Sequence, residues 1–283
     1  MTEPRIAYVG MTHLGLNSAV AAADKGFPTL CFDPDPALID RLKAGNLPVV
    51  EPDLPELVAK NATRLSYSSN SDDLADCDVV YVAPDVPTDD KGQSDLSGLD
   101  RLIDQAAAAI RPDAVLVVLS QVPPGFTRQR LRDGLILYYQ VETLVFGRAM
   151  ERALYPERYI VGCADPEQPL PDAFRAYLEA YGCPILPMRF ESAELTKIAI
   201  NCCLVSSISV ANTLSELCEG IGAVWSEIAP ALKLDRRIGQ YSYLTPGLGI
   251  AGGNLERDLA TVIRMSEAVG SDADVVRAWV TNS

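Results

Sequence analysis

"RIAYVGMTHLGLNSAVAAADKGFPTLCFD", residues 5–33, is the stretch on which the fold turns. It opens with "RIAYVG" (5–10), apolar on successive positions, which suits a strand covered on both faces. "GMTHLG" (10–15) follows, and then "LGLNSAVAAADKG", whose apolar spacing is helical. "TLCFD" (29–33) returns to strand and ends in an acid, Asp33, 23 residues beyond Gly10. Strand, glycine turn, helix, strand and terminal acid is the order in which a βαβ unit holds a dinucleotide.

The match to the glycine fingerprint G-x-G-x-x-G is partial. Gly10 and Gly15 fill the first and third places, where a tight turn and close helix packing are needed, but Thr12 stands in the second. Thr12 either pushes a pyrophosphate outward or adds a hydroxyl contact, with His13 beside it. An acid at Asp33 suits two ribose hydroxyls and repels a 2′-phosphate, so NAD is expected in preference to NADP. The plain alternative is a doubly wound domain with a tight turn and no nucleotide.

Outward from this unit, strands and helices keep alternating. "VVYVAP" (79–84), "AVLVVLS" (114–120), "LYYQVE" (137–142) and "YIVGCA" (159–164) read as buried strands, and "PALIDRLKAG" and "LSGLDRLIDQAAAAI" as helices. Such alternation predicts a parallel sheet with helices on both sides. The character changes after "CPILPMRF" (183–190): residues 191–220 run without proline, and without glycine until the end, as one long helix. The expected fold is α/β, a Rossmann-type doubly wound sheet over 1–189, followed by an all-helical dimerisation domain over 190–283 built on that helix.

Composition narrows the partners. The formal net charge of the 283 residues is −14, with no basic run longer than Arg236-Arg237, so neither nucleic acid nor an anionic membrane is an expected partner. No apolar run approaches the ~20 residues that span a bilayer, and "MTEPRIAYVG" lacks the basic start and apolar core of a secretory signal. Seven irregularly spaced cysteines without a C-x-x-C pair, and one histidine, argue against a metal site and for a reduced, cytoplasmic protein.

A second glycine cluster, "PGLGIAGGNLERDL" (246–259), has four glycines in eight positions and leads into a charged helix through Asn254. With this cluster, seven segments resemble the UDP-glucose/GDP-mannose 6-dehydrogenases in order and spacing. They are "GMTHLGL", "LPVVEPDLPEL" (47–57), "DVPTDDKGQSDLS" (85–97), "SQVPPGFT" (120–127), "QVETLVFGRAMERALYPERYIVG" (140–162), "AELTKIAINCCLVSSISVANT" (193–213) and "PGLGIAGGNLERD" (246–258). The resemblance implies NAD held by Gly10, Met11, Thr12, His13, Leu14, Gly15, Asp33, Ala83, Pro84, Ser120, Gln121 and Glu142, and a homodimer formed through helix 191–220. It also implies a sugar or nucleotide-sugar substrate, with Lys197 and Asn201 stabilising or deprotonating the reacting hydroxyl, Asp258 positioning a water or relaying a proton, and Glu142 as a further catalytic acid.

Three departures qualify this. The family's nucleophilic cysteine aligns with Asn254, and an amide forms neither thiohemiacetal nor thioester. The glutamate serving the hydrolytic half of the family reaction aligns with Phe146. The family's C-terminal nucleotide-binding domain has no counterpart in these residues. Two readings follow: an NAD-dependent dehydrogenase limited to a single hydride transfer, or a non-catalytic relative that binds NAD(H) or a sugar nucleotide as a regulatory or scaffold subunit. For Lys197 and Asp258 the plain alternative is helix surface or a buried ion pair.

Overall fold

A computed structural model of the chain describes residues 3–89, 92–247 and 253–282, with side chains from 255 onward in the last stretch. The chain divides into two compact units, Met1–Pro87 with Leu96–Leu195, and Thr88–Asp95 with Thr196–Ser283.

The first unit is built on one sheet of eight strands: β1 (Ile6–Val9), β2 (Thr29–Phe32), β3 (Leu65–Ser68), β4 (Val79–Val82), β5 (Val115–Val118), β6 (Ile136–Gln140), β7 (Tyr159–Cys163) and β8 (Ile185–Arg189). The spatial order is β3-β2-β1-β4-β5-β6-β7-β8. All neighbours pair in parallel except β6 and β7, which are antiparallel. β1, β2, β4 and β5 are buried at every position, as continuous apolar runs require of strands covered on both faces. The connections carry α1 (His13–Asp24), α2 (Pro36–Lys43), α3 (Leu54–Lys60), α4 (Ser97–Ala109), α5 (Ala149–Leu154) and α6 (Asp172–Glu179). This is the doubly wound α/β fold expected from the sequence.

The order of winding creates the site. From β1 the chain moves one way to β2 and β3, then returns past β1 to β4 and continues to β5 and β6. A crevice therefore opens at the carboxyl ends of β1 and β4, where the connecting loops part in opposite directions. Two strands, β3 and β8, were not anticipated. They are the sheet's edges and only partly buried, so neither has the apolar run that marks the inner strands.

α7 (Phe190–Ile221) is a single helix of 32 residues, and α8 (Trp225–Leu234), α9 (Gly253–Val269) and α10 (Asp274–Thr281) follow it. In the second unit Val205 of α7 packs with Leu259 of α9 and Val276 of α10. Ala211 and Cys218 gather with Trp225 and Leu244, whose carbonyl accepts from Trp225 Nε1 at 2.9 Å. By length and composition α7 is apolar enough to cross a membrane, with a mean hydropathy of 1.5 over its best 18-residue window and only 22% of that window buried. No uninterrupted apolar run marks it, because Asn201, Ser206 and Ser207 break the run without lowering the average much. One such helix is weak evidence of a membrane.

The start of α7 lies against the sheet at Gly162 of β7. A methyl group there would stand 3.0 Å from Ala193 Cβ, 3.1 Å from Tyr139 Cβ and 3.2 Å from Phe190 Cα. Gly162→Ala is expected to destabilise the first unit by about 1–3 kcal/mol through overpacking, seen as a lower urea midpoint. An unchanged midpoint would show that the helix start backs away freely.

Candidate functional site

The turn between β1 and α1 is shaped by two glycines. Gly10 has φ +94°, and a Cβ there would lie 2.9 Å from the Pro84 nitrogen. A Cβ on Gly15 would fall 1.9 Å from the Gly10 oxygen. Side chains are excluded at both places, which leaves bare backbone at the mouth of the crevice. The Thr12 hydroxyl is turned onto the loop after β4, where its oxygen accepts from Asp85 N at 2.8 Å. Met11 and Leu14 are buried in the apolar core, so a ligand at this turn meets their main chain.

The neighbouring loops converge on the same edge. Asp33 follows β2; its Oδ2 accepts from Met11 N at 2.8 Å and its Oδ1 from Asp35 N at 3.0 Å. Ala83 and Pro84 follow β4, and Ser120, just past β5, donates its hydroxyl to the Pro84 carbonyl at 2.5 Å. Gln121 is half-buried beyond it. Residues 10–15, 33, 83, 84, 120 and 121 thus stand at the carboxyl ends of four adjacent parallel strands. Glu142 lies past β6, half-buried, with its carboxylate accepting from Leu144 N.

Two buried glutamates that the sequence reading quoted without a role hold these loops in place. Glu51 Oε1 is 2.7 Å from His13 Nε2 and accepts from Gly147 N at 2.9 Å, while Oε2 accepts from Ala149 N at 3.3 Å. His13 also packs its ring on Phe146, 4.3 Å between centroids, although Phe146 is 74% exposed. Glu194, in the first turns of α7, accepts from Gly125 N at 2.6 Å and Thr127 N at 2.8 Å. That carboxylate fixes the "VPPGFT" loop after β5, and burial pushes its pKa up. The signal for Glu51 was an acid inside a motif made largely of loop residues, and for Glu194 an acid at the start of the long helix.

In the second unit Lys197 and Asn201 are one turn apart on α7, Lys197 half-buried and Asn201 buried. Asn201 Nδ2 donates to Asp258 Oδ2 at 2.5 Å. The other oxygen of Asp258 accepts from Arg257 Nε at 3.3 Å, in an ion pair whose side chains are 8% and 2% exposed. The ion pair weighed as the plain alternative for Asp258 is therefore present, and Arg257 is a member of the cluster that sequence reasoning passed over. Its signal was a basic residue immediately before the acid. Residues 248–252, with two of the cluster's glycines, and the side chain of Asn254 lie outside the described residues. Among the described residues no group of three or more His, Cys, Asp or Glu side chains is gathered as for a metal ion.

An open, mostly parallel sheet with a bare glycine turn at its switch point, followed by a long-helix unit, defines a dinucleotide-binding α/β protein. Residues 4–170 match the NAD binding domain of the UDP-glucose/GDP-mannose dehydrogenase family, and residues 191–283 match its central domain. The chain belongs to that family. It is 28% identical to the UDP-glucose 6-dehydrogenase of Rickettsia typhi, covering 98% of this chain and 66% of that protein. Identity is also 28% to the UDP-glucose 6-dehydrogenase of Pseudomonas aeruginosa, covering 97% and 64%. The structure of a UDP-glucose dehydrogenase from Pyrobaculum islandicum superposes with a TM-score of 0.86 at 28% identity, over 99% of this chain and 68% of that one. The chain therefore spans about two thirds of the length of these relatives.

NAD is the cofactor of this domain, and the residues present fit it. Gly10 and Gly15 leave the backbone open to close approach, and Asp33 follows the strand beside it. The Glu51 contact makes this edge sensitive to acid. Burial alone would raise the Glu51 pKa, but hydrogen bonds from His13 and from the Gly147 and Ala149 amides outweigh it, holding the carboxyl below its usual range. A carboxyl lowered on folding contributes stability above its unfolded pKa, about 4.3, and loses it as pH falls through the lower folded value. Glu51→Gln is expected to cost about 1–3 kcal/mol at pH 7. The difference from wild type, followed by urea unfolding, should narrow below about pH 4; a gap independent of pH would show that ionisation of Glu51 is not what holds the loop.

Proposed function

We propose that the chain is an NAD-dependent dehydrogenase of a nucleotide sugar that carries out one hydride transfer. The observation that carries this reading is the match to both domain families over nearly the whole chain; the reading takes Lys197, Asn201 and Asp258 as the counterparts of the family's catalytic residues, and Asn254 as standing at the nucleophile's position, on the resemblance of the motifs. The relatives named above are UDP-glucose 6-dehydrogenases, which supports a UDP-sugar as substrate and a role in making sugars for polysaccharides. Bound NAD supplies the hydride acceptor. The chain's own residues handle the proton: Lys197 holds or deprotonates the hydroxyl, and Asp258, oriented by Asn201 and Arg257, relays the proton outward. The alcohol loses two electrons and two hydrogens, and the product is an aldehyde. Because an amide cannot capture that aldehyde as a thiohemiacetal, oxidation to the acid does not follow. Phe146, in place of the acid that serves hydrolysis, agrees with this, and Glu142 is left to position substrate or water.

We also propose that two copies associate through α7. Val210, Leu214, Leu217 and Ile221 recur at intervals of four, three and four residues and are all exposed. They form an apolar seam of the kind that pairs helices. Its closeness to Asn201, Ser206 and Ser207 favours a second protein copy over lipid. Seven cysteines, all free, suit a reducing, cytoplasmic setting.

Purified chain with NAD and a panel of nucleotide sugars is expected to form one NADH per sugar consumed, with aldehyde as product. Lys197→Ala should abolish turnover while leaving NAD binding intact. Two NADH per sugar would show that Asn254 does not stop the second step. No turnover across the panel with NAD still bound would favour the regulatory reading. In sedimentation equilibrium the wild type should be a dimer and Leu214→Asp/Leu217→Asp a monomer; a variant that stays dimeric would place the interface elsewhere.

A further inference from the structure

The first turn of α1 already carries an anion. The backbone nitrogen of His13, the first residue of α1, donates to Asp85 Oδ2 at 3.0 Å. The Asp85 backbone nitrogen donates in turn to Thr12 Oγ1 at 2.8 Å. Two positions before His13, the Met11 nitrogen donates to Asp33 Oδ2 at 2.8 Å. Two amides of the β1–α1 turn are thus taken by carboxylates of the same chain. A helix N-terminus favours negative charge, and its free amides are what a bound phosphate uses. Gly10 and Gly15 keep the backbone of this turn bare for close approach. Asp85 stands at its end, reaching across the switch point from the loop after β4.

Building on NAD as the cofactor, we propose that Asp85 is an affinity-determining residue of the cofactor site, an internal competitor whose carboxylate must leave the His13 amide before the pyrophosphate docks. The turn cannot resolve the competition by moving His13, because its imidazole is held by Glu51 at 2.7 Å and packed, tilted, against Phe146. Asp85 is exposed and swings into water without breaking a packed core. It therefore weakens binding without blocking it: the apparent affinity for a dinucleotide falls by the fraction of time the carboxylate is away, and falls further by repulsion between the two anions. Asp33 does not act in the same way, since it follows the strand at the ribose end of the crevice and has no phosphate to displace. The burden falls on phosphate-bearing ligands only. A ligand with adenine and ribose but no phosphate is indifferent to Asp85.

The test is calorimetric titration of the full chain with NAD and, separately, adenosine, for wild type, Asp85→Asn and Asp85→Ala, with thermal melts to confirm that the exposed substitutions leave the fold intact. Both variants are expected to bind NAD about two- to fivefold more tightly, the equivalent of one charge gained or lost at an exposed helix N-terminus, with adenosine affinity unchanged. Equal or weaker NAD binding by the variants overturns the role of Asp85 while leaving NAD as the cofactor. A parallel tightening for adenosine overturns it too, because the effect would then be on the loop and not on the phosphate. If neither wild type nor variants bind NAD, the cofactor reading itself falls and the proposal falls with it.

Discussion

α1 begins closer to the sheet than any side chain would allow: the Gly10 oxygen occupies the space of a Cβ on Gly15. Much of the first unit depends on that approach. With the helix start pressed onto the turn, Leu14 through Ala23 are all buried, and α1 is a core helix with no polar face to give it direction. The glycine contact and the loops at its end help fix where it begins. His13 inherits its position from this contact, and the grip of Glu51, Phe146 and Asp85 on the crevice follows from where His13 stands.

Around that edge the chain uses carboxylates as fasteners. Asp33, Glu51, Asp85 and Glu194 each accept from main-chain amides of a loop. Such bonds are the stronger, charge-assisted kind, and each fixes a loop that has little apolar surface of its own. The excess of acids is thus more than a solubility feature. It also surrounds an anionic cofactor with negative charge, so the groups that shape the site also oppose its occupant. Loop order and cofactor affinity are set against each other at Asp85.

The helical unit solves a different problem. Asp258 is an acid in an almost dry place, and a buried carboxylate is tolerated only when its oxygens are satisfied. Asn201 takes one and Arg257 the other. The same geometry that satisfies the acid in the interior also fixes where it points, so a structural pair and the proposed proton relay are compatible descriptions of Asp258.

How far the fold was legible follows from burial. Inner strands announce themselves as unbroken apolar runs, and the glycine turn and the acid after β2 fall within 33 residues of the start, so the βαβ unit, its turn and the cofactor type were all readable locally. β3 and β8 were not, because edge strands face solvent on one side and carry polar residues, or in β8 Pro187, which an edge tolerates. The long helix was legible in its length, but its average hydropathy was not legible as a run. In the candidate site, the family resemblance singled out Lys197, Asn201 and Asp258, but not Arg257, the second partner of Asp258.

What the sequence by itself determined, then, is everything that depends on neighbours: periodicity, the tight turn and the family motifs. What only the tertiary structure decided is which carboxylate meets which amide. Asp85 and His13 are 72 residues apart and Glu51 and Gly147 are 96 apart. A hydrogen bond between such distant groups leaves no periodic trace along the chain, because it is made by the order in which the strands stack and not by the spacing of the residues that make it.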